Sequence, residues 1–155
     1  MKKIFFFLII SFPVFSQEYK KPPEVISSMI EAEPQPTLNF NNNGELALML
    51  RRDSYKSIED LAIEELRIGG TRIDPLRYTS SRMTYYNSFS LLDINTGQNI
   101  QLNHPKNGKF SFFSWSPDES KVAYTNTTED GVELWITDIK TKQSRKVSDK
   151  NRKYL

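Results

Sequence analysis

The sequence predicts an all-β chain built from a four-stranded antiparallel unit that occurs twice. Three observations carry that expectation. Phe40 and Trp115 stand immediately before polar turns, 75 residues apart, and each turn leads within two or three residues to an apolar strand. Residues 88–97 match residues 132–142, with Asp93 falling on Asp138 and Thr96 on Thr141, an offset of 45. The two offsets differ by 30 residues, the size of an insertion between the second and third strands of the first copy, placed at residues 54–84.

The elements follow in chain order. Lys2 and Lys3 precede an apolar run from Ile4 to Phe15, and Val14-Phe15-Ser16 suits a signal peptidase cutting before Gln17. The run has 12 residues, including a proline, against the ~20 of a membrane helix. Residues 1–16 are therefore expected to be a signal peptide, and the chain to be exported, periplasmic or secreted, without a stable membrane anchor. Residues 17–36, interrupted by Pro22, Pro23, Pro34 and Pro36, read as an extended arm. Within it, Val25, Ile26, Met29 and Ile30 suit one short helical turn.

The first unit spans residues 37–103. Leu38 and Phe40 alternate with polar residues, Asn41-Asn42-Asn43-Gly44 turns, and Leu46–Leu50 is an apolar strand. In the insertion, Ser57 and Asp60 resemble a helix cap, with Ile58, Leu61, Ala62 and Leu66 on one face. A helix over 57–68, stopped by Gly69-Gly70, is the expectation. Residues 71–86 show no period and read as a loop. The second unit spans residues 104–148, with strands at Phe110–Trp115, Val122–Thr125 and from Val132. Short fourth strands are expected at Asn99–Leu102 and Ser144–Val147, leaving 149–155 as a tail.

A four-stranded unit repeating at about 45 residues is a propeller blade. The fold class expected is two antiparallel blades of an incomplete β-propeller, with a short helix and loop inserted in the first. Each blade is a small twisted sheet whose faces need neighbours. Phe113, Trp115, Leu134 and Ile136 are the residues expected to pack blade on blade, while Asp118 and Glu119 stay in an exposed turn. Asp93 and Asp138 should each accept a backbone N–H two residues on.

Charge excludes some partners. There are 21 basic and 19 acidic residues, and losing Lys2 and Lys3 with the signal brings the balance to zero. Nothing here argues for a nucleic-acid partner. With no cysteine there is neither a disulfide framework nor a lipid anchor through cysteine.

Candidate chemistry is sparse. No Gly-x-Ser-x-Gly elbow occurs, and the single histidine, His104, reads as a surface turn residue beside Pro105. Neighbouring carboxylates, Asp118 with Glu119 and Glu64 with Glu65, point apart rather than converging on an ion or a bond. No catalytic, cofactor-binding or metal residue is expected, and no cofactor. Arg72, Arg77 and Arg82, spaced by five, suit either a carboxylate clamp or lacing of the loop to Glu65 and Asp74, with lacing preferred. Tyr85-Tyr86 suits packing, and Asn126-Thr127-Thr128 is formally a glycosylation acceptor.

Residues 113–124, Phe-Ser-Trp-Ser-Pro-Asp-Glu-Ser-Lys-Val-Ala-Tyr, followed by Leu134-Trp135-Ile136-Thr137-Asp138, resemble the blade motif of TolB-type propellers and of the prolyl oligopeptidase family of serine peptidases, S9. Residues 19–26, 36–40, 61–62, 66–75 and 80–86 resemble, in the same order, the glutamyl-endopeptidase-like branch of that family. The resemblance covers nearly all of residues 19–148. It implies the N-terminal part of a propeller that restricts peptide access to a C-terminal α/β-hydrolase domain carrying the Ser-Asp-His triad. The implied partners are the remaining blades and that domain, with peptides as the parent's substrate. By that implication this chain alone is inactive. An independent periplasmic TolB-like interaction module is the alternative.

Overall fold

The computed structural model describes residues 20–148, in two units divided after Glu31. The expected signal peptide (1–16), the start of the arm (17–19) and the tail (149–155) lie outside the described residues.

In the first unit, the arm is not extended throughout. Helix α1 (Glu24–Glu31) takes two turns, longer than the single turn expected. Pro22 and Pro23 precede it, and the Pro23 carbonyl accepts from the N–H groups of Ile26 (2.9 Å) and Ser27 (3.1 Å). Proline is harmless at this end because the first N–H groups of a helix have no internal partner. Val25, Ile26, Met29 and Ile30 form its apolar stripe, and all four are exposed.

The second unit holds three sheets. Strands β1 (Thr37–Phe40) and β2 (Leu46–Arg51) make a hairpin, and the chain then leaves the sheet. It passes through helix α2 (Ile58–Ala62) and a small sheet of β3 (Leu66–Ile68), β4 (Thr71–Asp74) and β5 (Thr79–Ser80). It returns as β6 (Ser88–Asp93) and β7 (Asn99–Gln101), completing blade 1 in the order β1-β2-β6-β7. Blade 2 is an uninterrupted meander of β8 (Phe110–Trp115), β9 (Lys121–Thr128), β10 (Gly131–Asp138) and β11 (Ser144–Lys146).

The repeat extends to individual hydrogen bonds. Asp93 Oδ1 accepts from Thr96 N (3.0 Å) and Asp138 Oδ1 from Thr141 N (2.9 Å). The N–H accepted lies three residues on rather than two. In both turns the aspartate carbonyl also takes an N–H four residues on, from Gly97 or Lys142, each at 2.8 Å. Gly97 and Lys142 both hold positive φ, 69° and 62°. At the other turn, Gly44 and Glu119 occupy the matching left-handed position, at 75° and 57°.

The blades meet face to face. Leu48, Leu50, Phe89 and Leu91 of blade 1 cluster with Phe110, Val122 and Tyr124 of blade 2, all buried. Phe89 lies at the centre, 4.9 Å from Tyr124, 5.1 Å from Phe113 and 5.4 Å from Phe110 by ring centroids. Burying each such side chain contributes about 1.5–3 kcal/mol. Gly108 fits beneath this cluster because a Cβ there would stand 2.1 Å from the Phe110 ring.

Three expectations need correction. Phe113 and Trp115 do pack at this junction, but Leu134 and Ile136 do not. The register pairs Trp135 with Tyr124 and Ile136 with Ala123, so Trp135 faces the core while Leu134 and Ile136 take the opposite face. The helix expected over 57–68 ends at Ala62, because Ile63 turns extended (φ −59°, ψ 131°). Gly69 and Gly70 instead form the two-residue turn of the β3–β4 hairpin, both with positive φ as such a turn requires. Third, the stretch read as a loop from residue 71 carries β4 and β5.

Equivalent strands lie side by side across the junction. Trp115 at the end of β8 donates its indole N–H to Asn39 Oδ1 of β1 (3.0 Å). At the far edges, Asn103 after β7 donates its side-chain amide to Gln143 (2.9 Å) and its backbone N–H to Lys142 O (2.9 Å). First strand beside first and fourth beside fourth is blade stacking, not a sandwich of unrelated meanders.

Candidate functional site

The polar concentration lies in the insertion. Ser57 caps α2 by accepting from Asp60 N (3.0 Å). The cap leaves the Asp60 carboxylate free to meet Lys109, at 2.5 Å, at the start of blade 2. That bond, against a smaller cost of burial, holds the Asp60 carboxyl below its ordinary pKa.

Glu65 is the hub of the small sheet. It accepts from Ser81 Oγ at 2.7 Å and pairs with Arg72 at 2.6 Å. Arg67 and Arg82 each approach at 3.3 Å. The Ser81 hydroxyl foremost, then the Arg72 and Arg82 charges, outweigh desolvation and keep its carboxyl low. Asp74 organises the next turn, accepting from the N–H groups of Leu76 (2.9 Å) and Arg77 (3.2 Å) and pairing with Arg77 (2.9 Å). Burial pushes the Asp74 carboxyl up, but these bonds together bring it below the ordinary value. Arg77 also reaches the Thr128 carbonyl on β9, 2.9 Å away.

The three arginines singled out in the sequence therefore do not converge on one point. Arg72 and Arg82 share Glu65, while Arg77 ties Asp74 to blade 2. This is lacing of the loop, with Glu65 and Asp74 as the acids.

Between the insertion and the start of blade 2 lies an open cleft of about 470 Å³. Arg52, Tyr55, Lys56, Tyr85, Tyr86 and Lys109 line it, with Asp53 and Asp60. Lys56 donates to the Arg82 carbonyl, and Asp53 accepts from Asn87 (2.8 Å). Tyr86 is held by a two-bond bridge to Phe110 (2.8 and 2.9 Å) and lies edge-on to Phe113. The cleft is thus lined by both aromatic and charged side chains.

Other singled-out residues fall elsewhere. His104 is not a free surface residue: its ring stacks on Phe89 (4.8 Å) and meets Phe110 edge-on (5.1 Å). Glu119 does not stay in solvent. Its carboxylate accepts from Asn41 Nδ2 (2.8 Å) and Asn42 N (2.9 Å), joining the two blades at their turns. Asp118 remains exposed, and the hydroxyls of Ser116 and Ser120 hold its carboxyl down to about 2. Asn126, read as a glycosylation acceptor, is buried and bonded to Lys109 N (3.1 Å) and Glu133 (3.3 Å), so it offers no acceptor amide. Among the described residues, no three His, Cys, Asp or Glu side chains gather as a metal site. No described helix is long and apolar enough to cross a membrane.

Stacked four-stranded blades with equivalent strands adjacent define the chain as a β-propeller segment. The family described as dipeptidyl peptidase IV (DPP IV) N-terminal region matches residues 77–154, half of the chain. The chain belongs to that family, as an N-terminal propeller segment of the S9 serine peptidases. It is 28% identical over 138 residues to a probable chloroplastic glutamyl endopeptidase of Oryza sativa subsp. japonica. It is also 28% identical over 137 residues to the protein of the same description in Arabidopsis thaliana. Each match covers 82% of this chain but only 15% and 14% of the relative. A solved structure described as a dipeptidyl aminopeptidase IV from Bacteroides ovatus aligns with a TM-score of 0.46 at 17% identity, over 81% of this chain and 19% of that one.

Proposed function

We propose that the chain supplies part of the propeller gate of an exported serine peptidase, restricting which peptides reach an α/β-hydrolase domain. The carrying observation is the family match together with the layout of the first blade. Its insertion is pinned to blade 2 through Asp60–Lys109 and Arg77–Thr128. A gate needs a rigid wall and a projecting element. The buried junction provides the first and the laced insertion the second. Export rests on the basic and apolar character of residues 1–16.

The test is made on the polypeptide encoded by the gene with whatever follows codon 155. If that sequence continues the blades and supplies a Gly-x-Ser-x-Gly elbow, the product should cleave peptides. Removing the insertion from Ser54 to Thr84 should then raise kcat/KM for long peptides several-fold more than for short ones. Equal effects on both lengths would remove the gate. Unrelated downstream sequence would favour a separate interaction module. Mature protein beginning at Gln17 outside the cytoplasm checks export.

A further inference from the structure

Two asparagines stand before glycine: Asn43-Gly44 in the turn between β1 and β2, and Asn107-Gly108 in the connection between the blades. Such a pair has a chemistry of its own. Glycine has no Cβ to shield its backbone nitrogen or to restrict its approach, so that nitrogen can attack the side-chain carbonyl carbon of the preceding asparagine. The fold treats the two pairs differently.

In the first pair both reacting groups are held. Gly44 N donates to Asn41 O (3.2 Å). Asn43 Oδ1 accepts from Glu45 N (3.0 Å) and Asn43 Nδ2 donates to Glu45 Oε2 (3.1 Å), which fixes the amide at both ends. In the second pair, neither the Asn107 amide nor Gly108 N makes a hydrogen bond among the described residues. Asn107 is exposed and lines the cleft together with Lys56, Asp60 and Lys109. The fold nevertheless demands both of its residues. Asn107 holds φ of 54°, a left-handed conformation in which asparagine is among the few side chains tolerated. Gly108 cannot gain a Cβ, which would stand 2.1 Å from the Phe110 ring. The buried junction therefore requires the glycine that makes its neighbour reactive.

We infer that Asn107 is a site of spontaneous deamidation in this chain. Gly108 N bonds to Asn107 Cγ, the bond from Cγ to Nδ2 breaks, and ammonia leaves with the amide proton. Water then opens the resulting succinimide. Opening at Cγ gives aspartate, and opening at the main-chain carbonyl gives isoaspartate; one water enters and one ammonia departs. Both reacting atoms belong to adjacent residues, so the step needs no partner, no further blade and no peptidase activity. The product places a new carboxylate two residues from Lys109, which bonds Asp60 of the insertion. The iso form also adds one atom to the main chain of the connection. Deamidation therefore loosens α2 from blade 2.

Incubating the full chain at mildly alkaline pH and mapping chymotryptic peptides by mass spectrometry tests this. The peptide Asn103–Phe110 should gain the mass of an amide turned acid several-fold faster than Asn41–Leu46. In chain kept unfolded by guanidinium the two rates should converge, because the hydrogen bonds that hold Asn43 are gone. Deamidated chain, separated from fresh chain by its extra negative charge, should show faster amide hydrogen exchange across α2. Asn43 reacting as fast as Asn107 in the folded chain would overturn the proposal. So would an Asn107 that reacts only when unfolded, since packing of Gly108 against Phe110 would then prevent the attack. Identical exchange across α2 in fresh and deamidated chain would overturn the coupling to the insertion.

Discussion

The blade junction and the insertion belong to one unit yet are held together in opposite ways. At the junction, aromatic and aliphatic side chains from both sheets close around Phe89, and polar bonds such as Asn39–Trp115 sit at the rim. In the insertion, Ile58, Leu61, Leu66, Ile68, Leu76 and Tyr78 are all exposed, and order comes from carboxylates gathering N–H groups and guanidinium groups. Apolar burial is non-directional and tolerates modest sliding, while a carboxylate network fixes geometry but contributes little where water screens it. The junction is therefore expected to carry the stability of the unit and the insertion to carry a defined local shape.

The sharpest way to break this contrast is Phe89→Ala. It removes a ring that touches Phe110, Phe113, Tyr124 and His104 at once, and the surrounding sheets cannot collapse to fill the space. A loss of about 3–5 kcal/mol is expected, read by denaturant unfolding of the whole chain. Should the loss stay under about 1 kcal/mol, the junction would not be the stabilising region.

Glu65→Gln probes the other side. Arg67, Arg72 and Arg82 then lose their common partner charge. Amide hydrogen exchange should quicken across residues 64–82 while the strands around Phe89 keep their protection. Acid should do the same to the wild type. Glu65 is held below its ordinary pKa, so its contribution is complete above that ordinary value and is lost as pH falls through the depressed one. The variant should lack this acid step. Loosening that spread equally into both blades would show that the two regions are not separately held.

The same contrast explains what could be read from the sequence. Strands such as Phe110–Trp115 and the paired turns at Asp93 and Asp138 were legible because each is specified locally, by alternation and by one carboxylate. The face of Leu134 and Ile136 was not, because Trp135 between them is equally apolar and only pairing with Tyr124 decides which side is inward. In the insertion, Glu65 and the arginines were legible as partners, whereas β3 was not. Leu66 continues the helical spacing of Ile58 and Leu61, and only the Gly69-Gly70 turn reveals a hairpin. The Glu119 bonds to Asn41 and Asn42 join residues 77 and 78 positions apart. His104 likewise needed the second blade in place before its stacking on Phe89 could be seen. No local pattern carries such contacts.

The smallest effect sharpens the comparison between the two blades themselves. Gly97 in blade 1 and Lys142 in blade 2 occupy the same left-handed turn position, with φ of 69° and 62°. An L-residue with a Cβ is strained there by roughly 1–2 kcal/mol, while glycine is not, although glycine loses more backbone freedom on folding. Lys142 is exposed, and its backbone makes the turn's bonds through Lys142 N to Asp138 O and Lys142 O from Asn103 N. Lys142→Gly keeps both bonds and relieves the side-chain strain. A gain of about 0.5–1 kcal/mol in unfolding free energy is expected, with Gly97→Lys losing a similar amount. If both substitutions proved destabilising, the Lys142 side chain would be holding something that its matching glycine does not, and the two turns would differ in more than sequence.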